Sequence, residues 1–226
     1  MTAPGEVGRV NGSRSWARTG RVHQSPVKRA IDLTCALGGL LVTLPLWPIV
    51  TLAIKLEDRG PIFYRQRRWG IGGSIFEVLK FRTMVKDSDH LHGIRQATKD
   101  DERVTHVGRL LRSTGIDELP QFLNIVRGEM SFVGPRALAV GELLHDRDGG
   151  VIAYEDVPRF GERLAVRPGL TGMATVYLPK DAPPLEKLTM DLEYVRTQSV
   201  RLDLRLIALS VWISVRGGWE KRGRKY

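Results

Sequence analysis

The sequence predicts an α+β, mostly helical protein. A re-entrant membrane hairpin (helix–proline break–helix) joins a small cytoplasmic domain that holds a β-hairpin and interfacial amphipathic helices. Three observations carry this prediction. Residues 33–54, LTCALGGLLVTLPLWPIVTLAI, run 22 residues without a charge and are interrupted by Pro45 and Pro48. PIFYRQRRW (61–69) and SIFEVLKF (74–81) flank a glycine-rich turn. Apolar residues recur from Leu202 to Ile213, ahead of a basic tail carrying Trp219.

The elements follow in order. Residues 1–27 are rich in Gly, Ser and Arg without apolar periodicity, so they read as a disordered basic lead. They do not resemble a secretory signal, because the first apolar run is too long and no small-residue cleavage site follows it. The membrane segment, 28–56, would be long enough to cross the hydrocarbon core as a straight helix, about 33 Å for the uncharged stretch. An interior proline removes a hydrogen bond and kinks a helix. Basic residues flank both ends: Lys28 and Arg29 before, Lys55 and Arg59 after. A single span is expected to be asymmetric in its flanking charge. A hairpin that leaves by the leaflet it entered therefore ranks first, a kinked span second and a buried core helix last.

Residues 57–226 form the second domain. Gly70-Ile71-Gly72-Gly73 lacks the Gly-Lys-Ser/Thr ending and the strand–loop–helix context of a phosphate loop, so it reads as a hairpin turn. The polar residues 86–106 read as loop with a helical turn. Val107–Leu111 look helical, and a further helix is predicted from Leu119 to Val126. Pro120 is tolerated in its first turn, and Gly128 ends it. The C-terminal helix fits either an interfacial location, with Trp212 and Trp219 at headgroup depth, or a packed core element.

Composition narrows the partners. The 226 residues suffice for one domain with a core. A net charge of +10 points to anions: nucleic acid, acidic lipid or phosphorylated substrates. No nucleic-acid motif is present, and aromatics are 7% of residues, which leaves no stacking platform. The lone Cys35 excludes an intrachain disulfide and implies a reducing compartment.

The chemistry centres on Asp117 and Glu118 in STGIDELPQF, residues 113–122. Such a pair is most often a solvated surface feature. At a helix entry, however, two adjacent carboxylates can address one site, because the first is not yet helical. A carboxylate can attack phosphorus, provided cations offset the meeting of two anions. Arg112 precedes the pair and Arg136 follows it in FVGPRAL. Lys80 and Arg82 come from KFRTM, and Arg167 from VRPGLTG. Rigid Gly-Pro and Pro-Gly turns hold the two later arginines.

KRAIDL, the proline-broken helix, PIFYRQRRWG, FEVLKFRTM, DELPQFLNIVRGEMSFVGPR, VRPGLTGMA and SVRLDLRL occur here in that order. Over residues 28–215 this combination resembles the bacterial sugar transferase family, the monotopic phosphoglycosyl transferases that start glycan assembly on polyprenyl phosphate. The resemblance implies a catalytic domain on the cytoplasmic face of a bacterial inner membrane, in contact with anionic lipid. It implies that Asp117 takes a sugar phosphate from a UDP-sugar with release of UMP, and that polyprenyl phosphate then attacks this intermediate. Glu118 would help hold Mg²⁺, Arg136 would contact the nucleotide diphosphate, and Arg112 would lie near the pair. Lys80, Arg82 and Arg167 are the further candidate phosphate ligands, and Pro45 matches the helix-breaking proline.

Two departures stand out. Leu44 replaces the serine common before that proline, leaving Pro48 to compensate. The family's Pro-Arg-Pro turn reads Pro135-Arg136-Ala137. The chain resembles the small form, without the membrane-spanning region that precedes the domain in larger members. A competing reading is a non-catalytic, basic, membrane-peripheral binding module.

Overall fold

The computed structural model describes residues 25–86, 101–145, 151–179 and 182–216. The basic lead to residue 24, most of the polar stretch expected as loop (87–100) and the tail with Trp219 lie outside the described residues.

Two helices, α1 (Pro26–Thr43) and α2 (Trp47–Asp58), are separated by a 3₁₀ turn, Leu44–Leu46. The break falls where Pro45 predicts it, since proline has no N–H for the carbonyl four residues back. Pro48 lies in the first turn of α2, where a missing N–H is tolerated, so the break belongs to Pro45. Pro26–Asp58 is long and apolar enough to cross a membrane. Leu41, Val42, Ile49, Leu52 and Leu56 are all more than half exposed.

The opposite faces of both helices pack on one body. Ala36 of α1 lies in one core cluster with Phe76, Val78, Phe122 and Ile125, while Val50 and Ile54 of α2 share another with Phe81 and Leu111. Each end is also tied down by polar groups. Arg29 donates to the carbonyls of Ile125 and Val126, and Asp32 accepts from Ser131 Oγ and Phe132 N. At the far end Glu57 accepts from the backbone of His106 and Val107, and Asp58 pairs with Arg82.

Strands β1 (Phe63–Trp69) and β2 (Ile75–Phe81) form the predicted antiparallel hairpin, in register from Phe63↔Phe81 to Trp69↔Ile75. Gly72 and Gly73 at its turn have φ of 63° and 80°, which explains the glycines. Strand alternation puts Tyr64, Gln66 and Arg68 on the same face as Phe76, Val78 and Lys80. Helix α3 (His106–Thr114) ends at Gly115, a 3₁₀ turn covers Ile116–Glu118, and α4 (Gln121–Arg127) ends at Gly128 as expected.

Two further strand pairs were not legible in the sequence. Strand β3 (Ser131–Val133) runs parallel to β6 (Gly169–Thr171), and β4 (Leu143–His145) pairs with β5 (Val151–Ala153). Short helices α5 (Phe160–Arg163) and α6 (Met173–Tyr177) lie among them. The C-terminal region holds two helices, α7 (Pro184–Thr197) and α8 (Val200–Val215), against the one expected from the apolar pattern. Asp203, Leu206 and Ser210 of α8 are buried, whereas Leu204, Val211, Trp212 and Val215 are exposed. The helix is thus packed on one side and apolar on the other.

Candidate active site

Gly115 reaches φ 73° at the end of α3, a left-handed conformation that stops the helix and lets the chain turn into the Ile116–Glu118 segment. Ile116 and Leu119 pack into the core beside Phe81 and Leu111, which anchors the turn on both sides of the carboxylate pair. Asp117 is buried, with 8% of its surface exposed, whereas the Glu118 side chain is 37% exposed.

Lys80 reaches the pair from β2. Its Nζ lies 2.5 Å from Glu118 Oε1. The strand is positioned by Asn124 of α4, which is fully buried. Asn124 Oδ1 accepts from Leu79 N at 3.0 Å, and its Nδ2 donates to Glu77 O and Glu129 Oε2, both at 2.7 Å. This amide stands in for a neighbouring strand along the open edge of β2 and sets Lys80 against the turn that carries the pair. Asn124→Ala leaves buried backbone groups unpaired, at about 1–3 kcal/mol each. The expected outcome is a lower denaturation midpoint together with loss of activity; a midpoint equal to that of the unaltered chain contradicts this role.

The two carboxylates are electrostatically unequal. Burial pushes Asp117 up to about 6, against the opposing pull of Lys80 and Arg112 and with the added push of Glu118. Burial also pushes Glu118 up, but Lys80, Arg136 and Arg68 together outweigh it and hold Glu118 below the ordinary carboxylate range. Neighbouring acids driven apart in this way are suited to different tasks.

The structure therefore brings Lys80, Arg112 and Arg136 to the pair, as the sequence predicts, and adds Arg68. Arg136 is exposed, on a turn fixed at three successive carbonyls. Pro135 O accepts from Gly169 N at 2.8 Å and Arg136 O from Arg163 Nη2 at 2.7 Å, while Ala137 O accepts from Arg68 Nη1. Those bonds supply the rigidity that the missing second proline would have given. The other two predicted arginines are engaged elsewhere. Arg82 is buried against Asp58 and fastens α2 to the hairpin. Arg167 donates to Gly128 O at 2.6 Å, near Arg29. Neither is among the main charges acting on Asp117 or Glu118.

Magnesium takes oxygen ligands, commonly one or two carboxylates completed by substrate phosphates and water. Asp117 and Glu118 fit that donor set, and Glu118 Oε2 accepts no hydrogen bond among the described residues. Those residues contain no group of three or more His, Cys, Asp or Glu side chains that could cage a metal unaided. A metal here would be shared with the substrate.

Known proteins resemble this chain over most of its length. The chain is 41% identical over 186 residues to an exopolysaccharide production protein of Rhizobium leguminosarum bv. phaseoli, covering 80% of this chain and 91% of that protein. It is 41% identical to an undecaprenyl-phosphate glucose phosphotransferase of Komagataeibacter xylinus, covering 81% of this chain but 35% of that longer protein. It is 39% identical to a UDP-glucose:undecaprenyl-phosphate glucose-1-phosphate transferase of Caulobacter vibrioides, over 81% of this chain and 68% of that protein. The bacterial sugar transferase family model matches residues 23–217, a span that includes the broken helix, the hairpin and the carboxylate pair with its cations, and the chain belongs to that family.

Proposed function

We propose that this protein is a membrane-bound phosphoglycosyl transferase that moves glucose 1-phosphate from UDP-glucose to undecaprenyl phosphate and so starts exopolysaccharide assembly. The observation that carries the reading is the buried Asp117 beside an ionised Glu118, within a cluster of Lys80, Arg112, Arg136 and Arg68. The names of the relatives support the substrates.

In this mechanism an Asp117 carboxylate oxygen attacks the phosphorus that bears the sugar. The bond to the bridging oxygen breaks, and UMP leaves with that oxygen. A phosphate oxygen of undecaprenyl phosphate then attacks the same phosphorus. This frees the Asp117 carboxylate and yields the polyprenyl-diphosphate sugar. Lys80 keeps Glu118 ionised and oriented, and Arg136 binds the diphosphate. Mg²⁺ held by Glu118 would neutralise charge on the phosphates.

The membrane arrangement belongs to the same proposal. Both ends of the apolar segment are fastened to one body, by Arg29 and Asp32 on one side of the break and by Glu57 and Asp58 on the other. Such fastening supports a re-entrant hairpin, because a span would carry one end to the far leaflet. The exposed apolar side of α8 would rest in the interface with Trp212 at headgroup depth, a position that suits an amphipathic ring. The catalytic domain would face the cytoplasm, where UDP-sugars are met.

The test is UMP release by the purified chain in detergent with undecaprenyl phosphate, Mg²⁺ and a panel of UDP-sugars. Release with UDP-glucose is expected. Release with another UDP-sugar alone overturns the choice of sugar, and silence across the panel favours a non-catalytic binding module.

A further inference from the structure

Arg136 is held from inside the domain by a buried ion pair to which the proposed mechanism gives no role. Arg163 ends α5 and Asp191 lies in the middle of α7, and their side chains are 2% and 4% exposed. Arg163 Nη2 donates to Asp191 Oδ2 and, at 2.7 Å, to the carbonyl of Arg136, 27 residues back in the chain. The Arg136 N–H in turn donates to the Asp191 carboxylate. The rings of Tyr154 and Phe160 lie 5.9 and 5.8 Å from the Arg163 guanidinium and limit its movement. The pair thus grips both backbone polar groups of Arg136.

Such a pair is a poor device for stability. Two charges taken out of water lose hydration that their attraction offsets only in excellent geometry, and apolar groups of similar size often serve as well. Burial raises the Asp191 carboxyl even with Arg163 beside it. What the pair adds is direction. The Arg136 side chain is exposed and long, and a binding side chain keeps its aim only where its own backbone is fixed.

We infer that Arg163, anchored by Asp191, is a positioning residue: acting through the Arg136 backbone, it sets the Arg136 guanidinium against the nucleotide diphosphate. The inference rests on the proposed function for the diphosphate, but it is tested by binding, without turnover. Residues that act through one another are not additive, so removing the pair should matter only while Arg136 is present. A role in the fold alone would weaken binding equally with and without Arg136.

The experiment is calorimetric titration of the full chain in detergent with UDP and Mg²⁺. The variants are Arg163→Met/Asp191→Asn and Asp191→Asn, each with and without Arg136→Ala, and Arg136→Ala alone. Glu162→Ala, which breaks an exposed pair on the same helix, is the control. The double change leaves no buried charge unpaired and is expected to keep the fold, which thermal midpoints check. It should raise the Kd for UDP about tenfold, but by less than about twofold where Arg136 is already alanine. The KM for UDP-glucose should rise in parallel with kcat little changed, and Glu162→Ala should alter neither. Equal losses with and without Arg136, unchanged affinity in a folded variant, or no UDP binding by the unaltered chain would each overturn the inference. So would the failure of both Arg163→Met/Asp191→Asn and Asp191→Asn to fold, which would make the pair a support of the fold. If UDP affinity depends on Arg163 only while Arg136 is present, yet no UDP-sugar yields UMP, the positioning stands and the proposed reaction fails.

Discussion

Asp117→Asn is expected to abolish UMP release, by at least about 10³-fold, because an amide has no nucleophilic oxygen and no alternative carboxylate sits in its place. Glu118 is no substitute, since it is held by Lys80 at 2.5 Å. The same change is expected to stabilise the fold. Asp117 has a pKa of about 6 in the protein against an ordinary 3.8. A carboxyl whose folded pKa is raised contributes stability that is fully present below about 3.8 and is lost as pH rises through 6. Asparagine does not titrate. In metal-free buffer the variant and the unaltered chain should therefore match near pH 4. At pH 7 the variant should be the more stable, by up to roughly 3 kcal/mol. Denaturation midpoints across that range check the sign. An Asn variant less stable at pH 7 than at pH 4, relative to the unaltered chain, contradicts a strained carboxylate. Activity lost together with stability gained is the signature of a group kept for chemistry rather than for folding.

Asp203→Ala should have the largest effect on stability. Asp203 is buried at 2% exposure. Its Oδ2 lies 2.7 Å from Lys28 Nζ, and its Oδ1 accepts from Tyr194 OH at 2.7 Å. Burial, then the charge of Asp203, pushes the Tyr194 phenol upward, so it remains a donor. Removing the carboxylate leaves the Lys28 ammonium in a dry site with neutral partners only. Breaking a buried pair in this way costs about 3–5 kcal/mol. Because Lys28 stands at the start of α1 and Asp203 in α8, the loss also loosens α1 from the domain. The comparison is Glu162→Ala, which removes an exposed pair with Arg159 and should change stability by at most about 1 kcal/mol. Equal shifts in the two variants would show that the buried network does not hold α1 in place.

The features legible in the sequence share one property: their cause is local. Pro45 breaks the apolar helix because of its own missing N–H. Gly128 ends α4 and Gly72 turns the hairpin because of their own dihedral freedom. Asp117 and Glu118 are marked by the run DELPQF around them, because adjacent acids alone recur at Glu57-Asp58 and Glu155-Asp156. The features that were not legible depend on partners distant in the chain. Arg82 and Arg136 look alike in sequence, each next to a candidate motif. Only the fold reveals that Arg82 is taken by Asp58, 24 residues away, while Arg136 remains exposed. The parallel pairing of Ser131 with Gly169 has no local signal of any kind.

Arg68 lies between these cases. Once β1 is recognised as a strand, alternation places residues 64, 66 and 68 on one face and 65 and 67 on the other, and cross-strand pairing puts Lys80 on the first. Four polar residues in a row, RQRR, obscure that period. Asn124 is a similar case. In LPQFLNIVRG it passes for a polar residue of a short helix, and its structural weight comes from the open edge of β2, which the sequence does not show.

The proposed mechanism turns on a covalent bond from Asp117 to the sugar phosphate, formed before any acceptor is present. The most direct measurement is incubation of the purified chain with Mg²⁺ and UDP-glucose labelled in the sugar, without undecaprenyl phosphate, followed by mass analysis of the peptide that holds residues 113–127. One labelled hexose phosphate on Asp117 is expected for each UMP released, discharged when undecaprenyl phosphate is added and absent from Asp117→Asn. UMP that appears only after the acceptor is added, with no label on the peptide at any time, would contradict it.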